Sequence, residues 1–172
     1  MKTLGFSHLN SDAGIYVCQE GTEIIIAVVY VDDAMFLGRN KDAINRKKAF
    51  FMAKWECQDL GDVTEFLRMQ VKRNGLDVII DQVDYLKKVL DRFQMTNAKA
   101  TLTPLPSNWD PRENQGKATA AEITRYQSII GSLLYLMIGT CLDISYAVTH
   151  LSQFSTNPSE DHIKQCFMCA AI

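Results

Sequence analysis

A chain of 172 residues has room for one ordinary domain or two small ones, and not for a large multidomain enzyme. Its 47% apolar and 22% charged residues exclude a disordered or collagen-like chain. Five irregularly spread cysteines suit a reducing compartment rather than a disulfide-stapled scaffold, and a formal charge of −2 speaks against a uniformly basic nucleic-acid binder.

The charge is unevenly spread. Residues 1–38 hold one basic and five acidic side chains, residues 39–99 thirteen and nine, and the remainder four and six. Any phosphate-facing surface therefore belongs to the middle segment, although solvated helix faces give the same pattern. The longest uncharged apolar run, residues 24–30, falls far short of the roughly 18 residues a membrane span needs. The start, Met1-Lys2-Thr3-Leu4-Gly5-Phe6, lacks a signal-peptide core. The expected location is inside the cell, in cytoplasm or nucleus, with no membrane partner.

Taken in order, Ile15-Tyr16-Val17-Cys18 reads as a strand and residues 20–23 as a turn. Residues 23–30 are apolar on successive positions, as in a strand buried on both faces. Asp32-Asp33 interrupts, then Ala34-Met35-Phe36-Leu37 resumes: strand, tight acidic turn, strand. Residues 42–54 place Ala43, Ile44, Ala49, Phe50 and Ala53 among lysines and arginines, which predicts an amphipathic helix with a basic outer face. Asn74-Gly75 between residues 66–71 and 78–80 predicts a hairpin. Beyond residue 81, Val83, Leu86, Val89, Leu90 and Phe93 follow helical spacing. Residues 103–117, with Pro104, Pro106, Pro111 and Gly116, read as a linker. Helices over about 121–137 and 143–155 follow, and a last one after Pro158, capped by Ser159 or Thr156. The fold class is α+β in the first half and all-helical in the second, with a boundary near residue 81.

Two adjacent carboxylates between apolar strands repel each other, and a divalent metal with hard oxygen ligands, such as Mg²⁺, would offset that repulsion. Two-metal phosphoryl transfer uses such clusters. A plain hairpin turn, where aspartate is common, is the competing reading of the dipeptide.

The context of the dipeptide is a resemblance. Tyr30-Val31-Asp32-Asp33, between an apolar strand and Ala34-Met35-Phe36-Leu37-Gly38, is similar to the catalytic hairpin of reverse transcriptases. Gly61-Asp62-Val63-Thr64-Glu65-Phe66-Leu67-Arg68-Met69 resembles the G-[DE]-x-x-x-F-L-G-[IM] stretch of copia-type LTR retrotransposon polymerases. Asp81-Gln82-Val83-Asp84-Tyr85-Leu86 resembles their [SD]-Q-x-x-Y-[IL], and Arg92-Phe93-Gln94-Met95 with Thr103-Pro104-Leu105 their R-F-G-M and T-P-[LM]. Tyr126-Gln127-Ser128-Ile129-Ile130-Gly131-Ser132-Leu133-Leu134-Tyr135 is similar to Y-R-S-x-[VI]-G-S-L-[LM]-Y. Asp143-Ile144-Ser145-Tyr146-Ala147-Val148 and Asn157-Pro158-Ser159 complete the order.

The resemblance implies that residues 1–81 are part of a polymerase palm, an antiparallel sheet with a packing helix and a primer-grip-like hairpin, and that residues 82–172 are a thumb-like helical region. It implies Asp32 and Asp33 as catalytic, metal-binding carboxylates for Mg²⁺ or Mn²⁺. It places Tyr30 and Val31 near a primer terminus and Met69 and Gln70 on the hairpin that grips it, with an RNA/DNA primer-template as partner. The family's third metal-binding aspartate and its fingers come from upstream of this stretch. The expectation is a truncated copy that does not extend a primer alone and works only if a complementing polymerase chain supplies the rest. The alternative is a repurposed interaction module, as a homodimer or with a partner protein. The basic helix is read as lying on the palm's outer face, away from nucleic acid.

Departures from the family pattern are Arg68 for glycine, Gln127 for arginine and Cys141-Leu142 for Arg-Pro. The lost arginines remove phosphate contacts. His162, Cys166 and Cys169 share a helix face; a zinc site lacks an obvious fourth ligand, so they read as buried helix residues. Met35, Met52, Met69 and Met137 read as core gap-fillers, and Trp55 and Trp109 as packing residues rather than base-stacking ones.

Overall fold

The computed structural model describes residues 1–171, which divide into two units, residues 1–66 and from Leu67 onward. In the first, a single 3-10 turn (Lys2–Leu4) leads into an antiparallel sheet of β1 (Ser7–His8), β2 (Ile15–Glu20), β3 (Glu23–Tyr30) and β4 (Asp33–Gly38), in that spatial order. Two-residue loops make both main hairpins. Gly21 takes φ 63°, which glycine adopts without a steric penalty, and brings Glu20 opposite Glu23. Helix α1 (Lys41–Lys54) follows, its first turn capped by the Asn40 side chain, which accepts from the Asp42 and Ala43 amides. A two-residue strand, β5 (Glu65–Phe66), ends the unit.

Residues directly opposite in this sheet share a face, so Cys18 lies beside Ile25, and Ala27 lies between Tyr16 on β2 and Phe36 on β4. That face joins Phe6 and Ala43 of α1 in the first core. The other face carries Ile15, Val17, Ile26, Val28, Met35 and Leu37, all half-buried, while Ile24 is 55% exposed. The expected burial of β3 on both faces is therefore corrected. Within this unit a single helix packs on the sheet, and one helix covers one face.

The face of α1 is corrected too. Ala43, Ile44 and Phe51 point inward, but so do Lys47 and Lys48, while Ala49, Ala53 and Phe50 (63%) are exposed. Each lysine has a reason to be there. Lys47 donates to the Leu4 carbonyl at 3.2 Å and approaches Glu20 at 3.8 Å, its alkyl stem lying along the core. Lys48 pairs with Asp59 and holds that carboxyl below the usual range. Met52, read as a gap-filler, is exposed, whereas Met35, Met69 and Met137 are half-buried. Trp55 tilts against Phe51, ring centres 4.5 Å apart.

The second unit opens with a hairpin of β6 (Met69–Asn74) and β7 (Asp77–Asp81), whose two-residue loop places Gly75 at φ 61°. Helix α2 (Val83–Arg92) follows, then α3 (Ala120–Gly139), a 3-10 turn (Leu142–Ile144), α4 (Ser145–Ser152) and α5 (Glu160–Ala170). Within this unit the hairpin packs on α2, Gln70 reaching Asp84, and the Tyr135 hydroxyl of α3 donates to the Leu67 carbonyl at its root. Val83, expected on the apolar face of α2, is exposed, and Gln82 is buried in its place.

Helix α3 starts with a full capping box: Thr119 accepts from the Glu122 amide while Glu122 accepts from that of Thr119. Tyr126, Ile129, Ile130, Leu133 and Leu136 then recur at three- and four-residue intervals and meet Ala147, Val148 and Leu151 of α4 and Cys166 and Cys169 of α5. Burying each such aliphatic side chain contributes about 1.5–3 kcal/mol. Tyr126, wholly buried, donates its hydroxyl to the Leu151 carbonyl at 2.7 Å. The linker has no regular element, as expected, yet it is tied down: Trp109 donates to Asp161 at 2.7 Å and Asn114 to the Pro158 carbonyl at 2.8 Å.

Candidate active site

The acidic hairpin follows from its flanks. Residues 24–30 favour extended backbone, and residues 34–37 offer a second apolar run of matching register. Tyr30 pairs with Asp33, which leaves Val31 and Asp32 as the loop and makes Asp33 the first residue of β4. The four residues read as Tyr-Val-Asp-Asp thus stand together at the tip of one hairpin. All four are exposed, Tyr30 at 58% and Val31 at 83%. Val31 takes φ 52°, a left-handed conformation that is costly for a β-branched residue. Such outliers cluster where surrounding structure overdetermines the backbone.

Repulsion between neighbouring carboxylates needs less compensation here than inside a protein. Both side chains face water, which screens the interaction and lowers the need for a compensating cation. The donor chemistry nevertheless fits one. Asp32 and Asp33 offer hard oxygens, and Mg²⁺ is commonly held by one or two carboxylates with waters and substrate phosphates. Among the described residues there is no group of three or more His, Cys, Asp or Glu side chains placed to hold a metal ion.

Behind the tip, Gly14 had no place in the sequence reading. Its carbonyl accepts from the Val29 amide at 2.8 Å, and a Cβ on it would lie 2.9 Å from the Val29 carbonyl oxygen. Asp12 caps this approach by accepting from the Gly14 amide at 2.7 Å. The signal was present in Asp12-Ala13-Gly14, an aspartate two residues before a glycine, a local turn pattern.

Met69 and Gln70 belong to the second unit, on β6, and both are half-buried. Gln70 is engaged within the chain: its amide donates to Asp84 at the start of α2. Lys72 on the same strand pairs with Asp81 at 2.7 Å, and this bond, with the Val83 amide, holds the Asp81 carboxyl below the usual range. Those partners explain the Asp81-Gln82-Val83-Asp84-Tyr85 motif in structural terms. Asp81 and Asp84 tie the hairpin, Gln82 is buried, and Tyr85 packs edge-on against Tyr135, ring centres 4.7 Å apart.

His162, Cys166 and Cys169 are buried helix residues, as expected. His162 Nδ1 accepts from the Ser159 amide at 3.0 Å and its ring stacks on Phe154, centroids 3.9 Å apart. Burial pushes the Cys166 and Cys169 thiols up to about 12. Ser159, rather than Thr156, is the cap.

Residues 1–107 match the family described as reverse transcriptase (RNA-dependent DNA polymerase), and the chain belongs to that family. Its relatives include transposon proteins, in keeping with the copia-type resemblance of the motifs. The chain is 32% identical over 171 residues to the retrovirus-related Pol polyprotein from transposon TNT 1-94 of Nicotiana tabacum, covering 94% of this chain and 13% of the relative. It is 32% identical over 163 residues to that from transposon RE1 of Arabidopsis thaliana, covering 94% and 11%. A putative transposon Ty5-1 protein of Saccharomyces cerevisiae is 31% identical over 166 residues, covering 95% and 53%. The chain thus spans about an eighth of the first of these relatives. No solved structure matches it. Among the described residues no helix is long and apolar enough to cross a membrane.

Proposed function

We propose that this chain carries part of a reverse-transcriptase active site: a palm-like sheet presenting Asp32 and Asp33, a primer-grip-like hairpin with Met69 and Gln70, and a thumb-like helical region. The observation that carries the reading is the placement of both carboxylates, exposed and side by side, at the tip of an antiparallel hairpin. Mg²⁺ or Mn²⁺ held there would polarise a primer hydroxyl and neutralise charge on a triphosphate. Tyr30 and Val31 flank the carboxylates and would contact the primer terminus. The partner in this reading is an RNA/DNA primer-template, encountered in the cytoplasm or nucleus.

In two-metal chemistry both the attacking and the leaving oxygen need a cation, and two carboxylates are a small ligand set for two ions. We therefore infer that the 172 residues alone do not synthesise DNA, and that a complementing polymerase segment supplies the remaining ligands. A primer-extension assay with the purified chain checks this; the expected outcome is no product. Synthesis that disappears in Asp32→Asn would overturn it.

A second reading draws on the exposed apolar side chains of β7, where Val78, Ile79 and Ile80 are all about half exposed, and on Phe50. Surfaces of this kind are commonly covered by association. In this reading the chain is a non-catalytic module that self-associates. Light scattering that finds a dimer, with no affinity for an RNA–DNA duplex, would favour it over the first.

A further inference from the structure

The root of the β6–β7 hairpin is unusual. Leu67 and Arg68, the two residues entering β6, take φ 51° and 60° in succession. Consecutive left-handed residues other than glycine cost roughly 1–2 kcal/mol each, so something must hold them. The Tyr135 hydroxyl, from the C-terminal half of α3, donates to the Leu67 carbonyl. Tyr135 is in turn fixed on two sides. The ring of Tyr85 meets it edge-on at 70°, and Gln82 donates to its backbone carbonyl at 3.2 Å.

Gln82 is the centre of this arrangement. It is 3% exposed, and its oxygen accepts from the Thr140 hydroxyl at 2.9 Å. Both ends of its amide are thus satisfied by the end of α3, as a buried amide requires. The approach is so close that a Cβ at Gly139 would lie 2.3 Å from the Gln82 oxygen, which explains a glycine at the last position of a long helix. Gln82 joins β7 directly to α2, and Gln70 of β6 reaches Asp84 on the first turn of α2. Both strands of the hairpin are therefore referenced to α3 through Tyr135, Gln82 and Gly139.

We infer that Tyr135 and Gln82 are positioning residues: they set the angle of the hairpin on α3, and with it the placement of Met69, Gln70, Lys72 and Arg73 against a bound duplex. This inference rests on the reading of the hairpin as a primer grip. Neither residue touches nucleic acid in this account; both act through the backbone at Leu67 and the start of α2.

Two variants disturb the arrangement by independent routes. Tyr135→Phe removes the hydroxyl and leaves the Tyr85 contact; Gly139→Ala drives a methyl group into the Gln82 amide. Binding of the full 172-residue chain to an RNA–DNA hybrid duplex is followed by fluorescence anisotropy across a salt series, with amide hydrogen exchange on the free proteins. In both variants the β6 and β7 amides are expected to exchange about three- to tenfold faster, the range a single lost hydrogen bond gives, while α3, α4 and α5 keep their protection. Duplex affinity is expected to fall by a similar factor, and the slope of log K against log salt to shrink by about 1–2 as the hairpin's phosphate contacts are lost. A merely structural role would lower the folded fraction without changing that slope, so weaker binding at unchanged slope overturns the inference. So do unchanged hairpin exchange, or variants that bind as the wild type does; these leave the primer-grip reading standing. A wild-type chain that fails to bind the duplex at any salt overturns that reading and the inference with it.

Discussion

Arg68 stands where the resembling family has glycine, and it takes φ 60°. For an L-residue this conformation costs roughly 1–2 kcal/mol, of which glycine's greater freedom in the unfolded chain would return about 0.5–1 kcal/mol. Arg68→Gly is therefore expected to raise stability by up to about 1 kcal/mol, read as a higher denaturation midpoint at unchanged slope. A lower midpoint would mean that the guanidinium makes a contact worth more than the strain. The glycine pattern made the position visible in the sequence, but the strain itself was not legible: nothing in Leu67-Arg68 announces two left-handed residues in a row. Lys47 and Lys48 escaped for a different reason. A pattern of apolar and charged letters sends lysine outward, and it has no way to know that Leu4 and Asp59 wait at the packed face to accept from the ammonium groups.

At the scale of one element, α5 shows how a cap couples folding to pH. Its N3 residue is His162, where glutamate or glutamine is usual, and the neutral imidazole accepts from the Ser159 amide. Burial among Phe154 and Trp109 pushes its pKa below 6.5; its bond to the Arg112 backbone and the nearby Asp161 oppose this without cancelling it. The folded state thus binds the proton less readily than the unfolded one. The stability it contributes is present above about pH 6.5 and is lost as pH falls through the folded-state value. Asp161 adds a second, more acidic step. The Trp109 indole N–H, its first cause, holds that carboxyl below the usual range, so its contribution is present above about pH 3.9 and fades as pH falls further. His162→Gln keeps an acceptor at N3 and removes the titration. The expected outcome is a melting temperature that no longer drops between pH 6.5 and the onset of the acidic step. A drop of wild-type size in that window would place the titrating group elsewhere.

Across the whole molecule, what the sequence disclosed was what short-range patterns encode. The hairpin at Asp32-Asp33 was visible because apolar runs flank it, and the start of α5 because Ser159 and Thr156 stand before its helical spacing. The seating of the β6–β7 hairpin on α2 and α3 was not, since it is a long-range choice fixed by Tyr135 and Asp84. The same burial pattern governs the five free cysteines. Cys18, Cys166 and Cys169 are buried, and Cys57 is exposed. A thiol reagent applied to the native chain is expected to label Cys57 first and the buried three only on unfolding, by mass spectrometry. Early labelling of Cys166 or Cys169 would contradict the packing of α5 on α3.

The central claim, that the two aspartates form a metal-binding tip, is tested most directly by titrating the ¹⁵N-labelled chain with Mn²⁺ and following paramagnetic broadening of its amide resonances. The account predicts broadening centred on residues 30–34, shared with competing Mg²⁺ and abolished in the Asp32→Asn, Asp33→Asn double variant. Broadening spread evenly over the acidic surface, or surviving in the double variant, would contradict it.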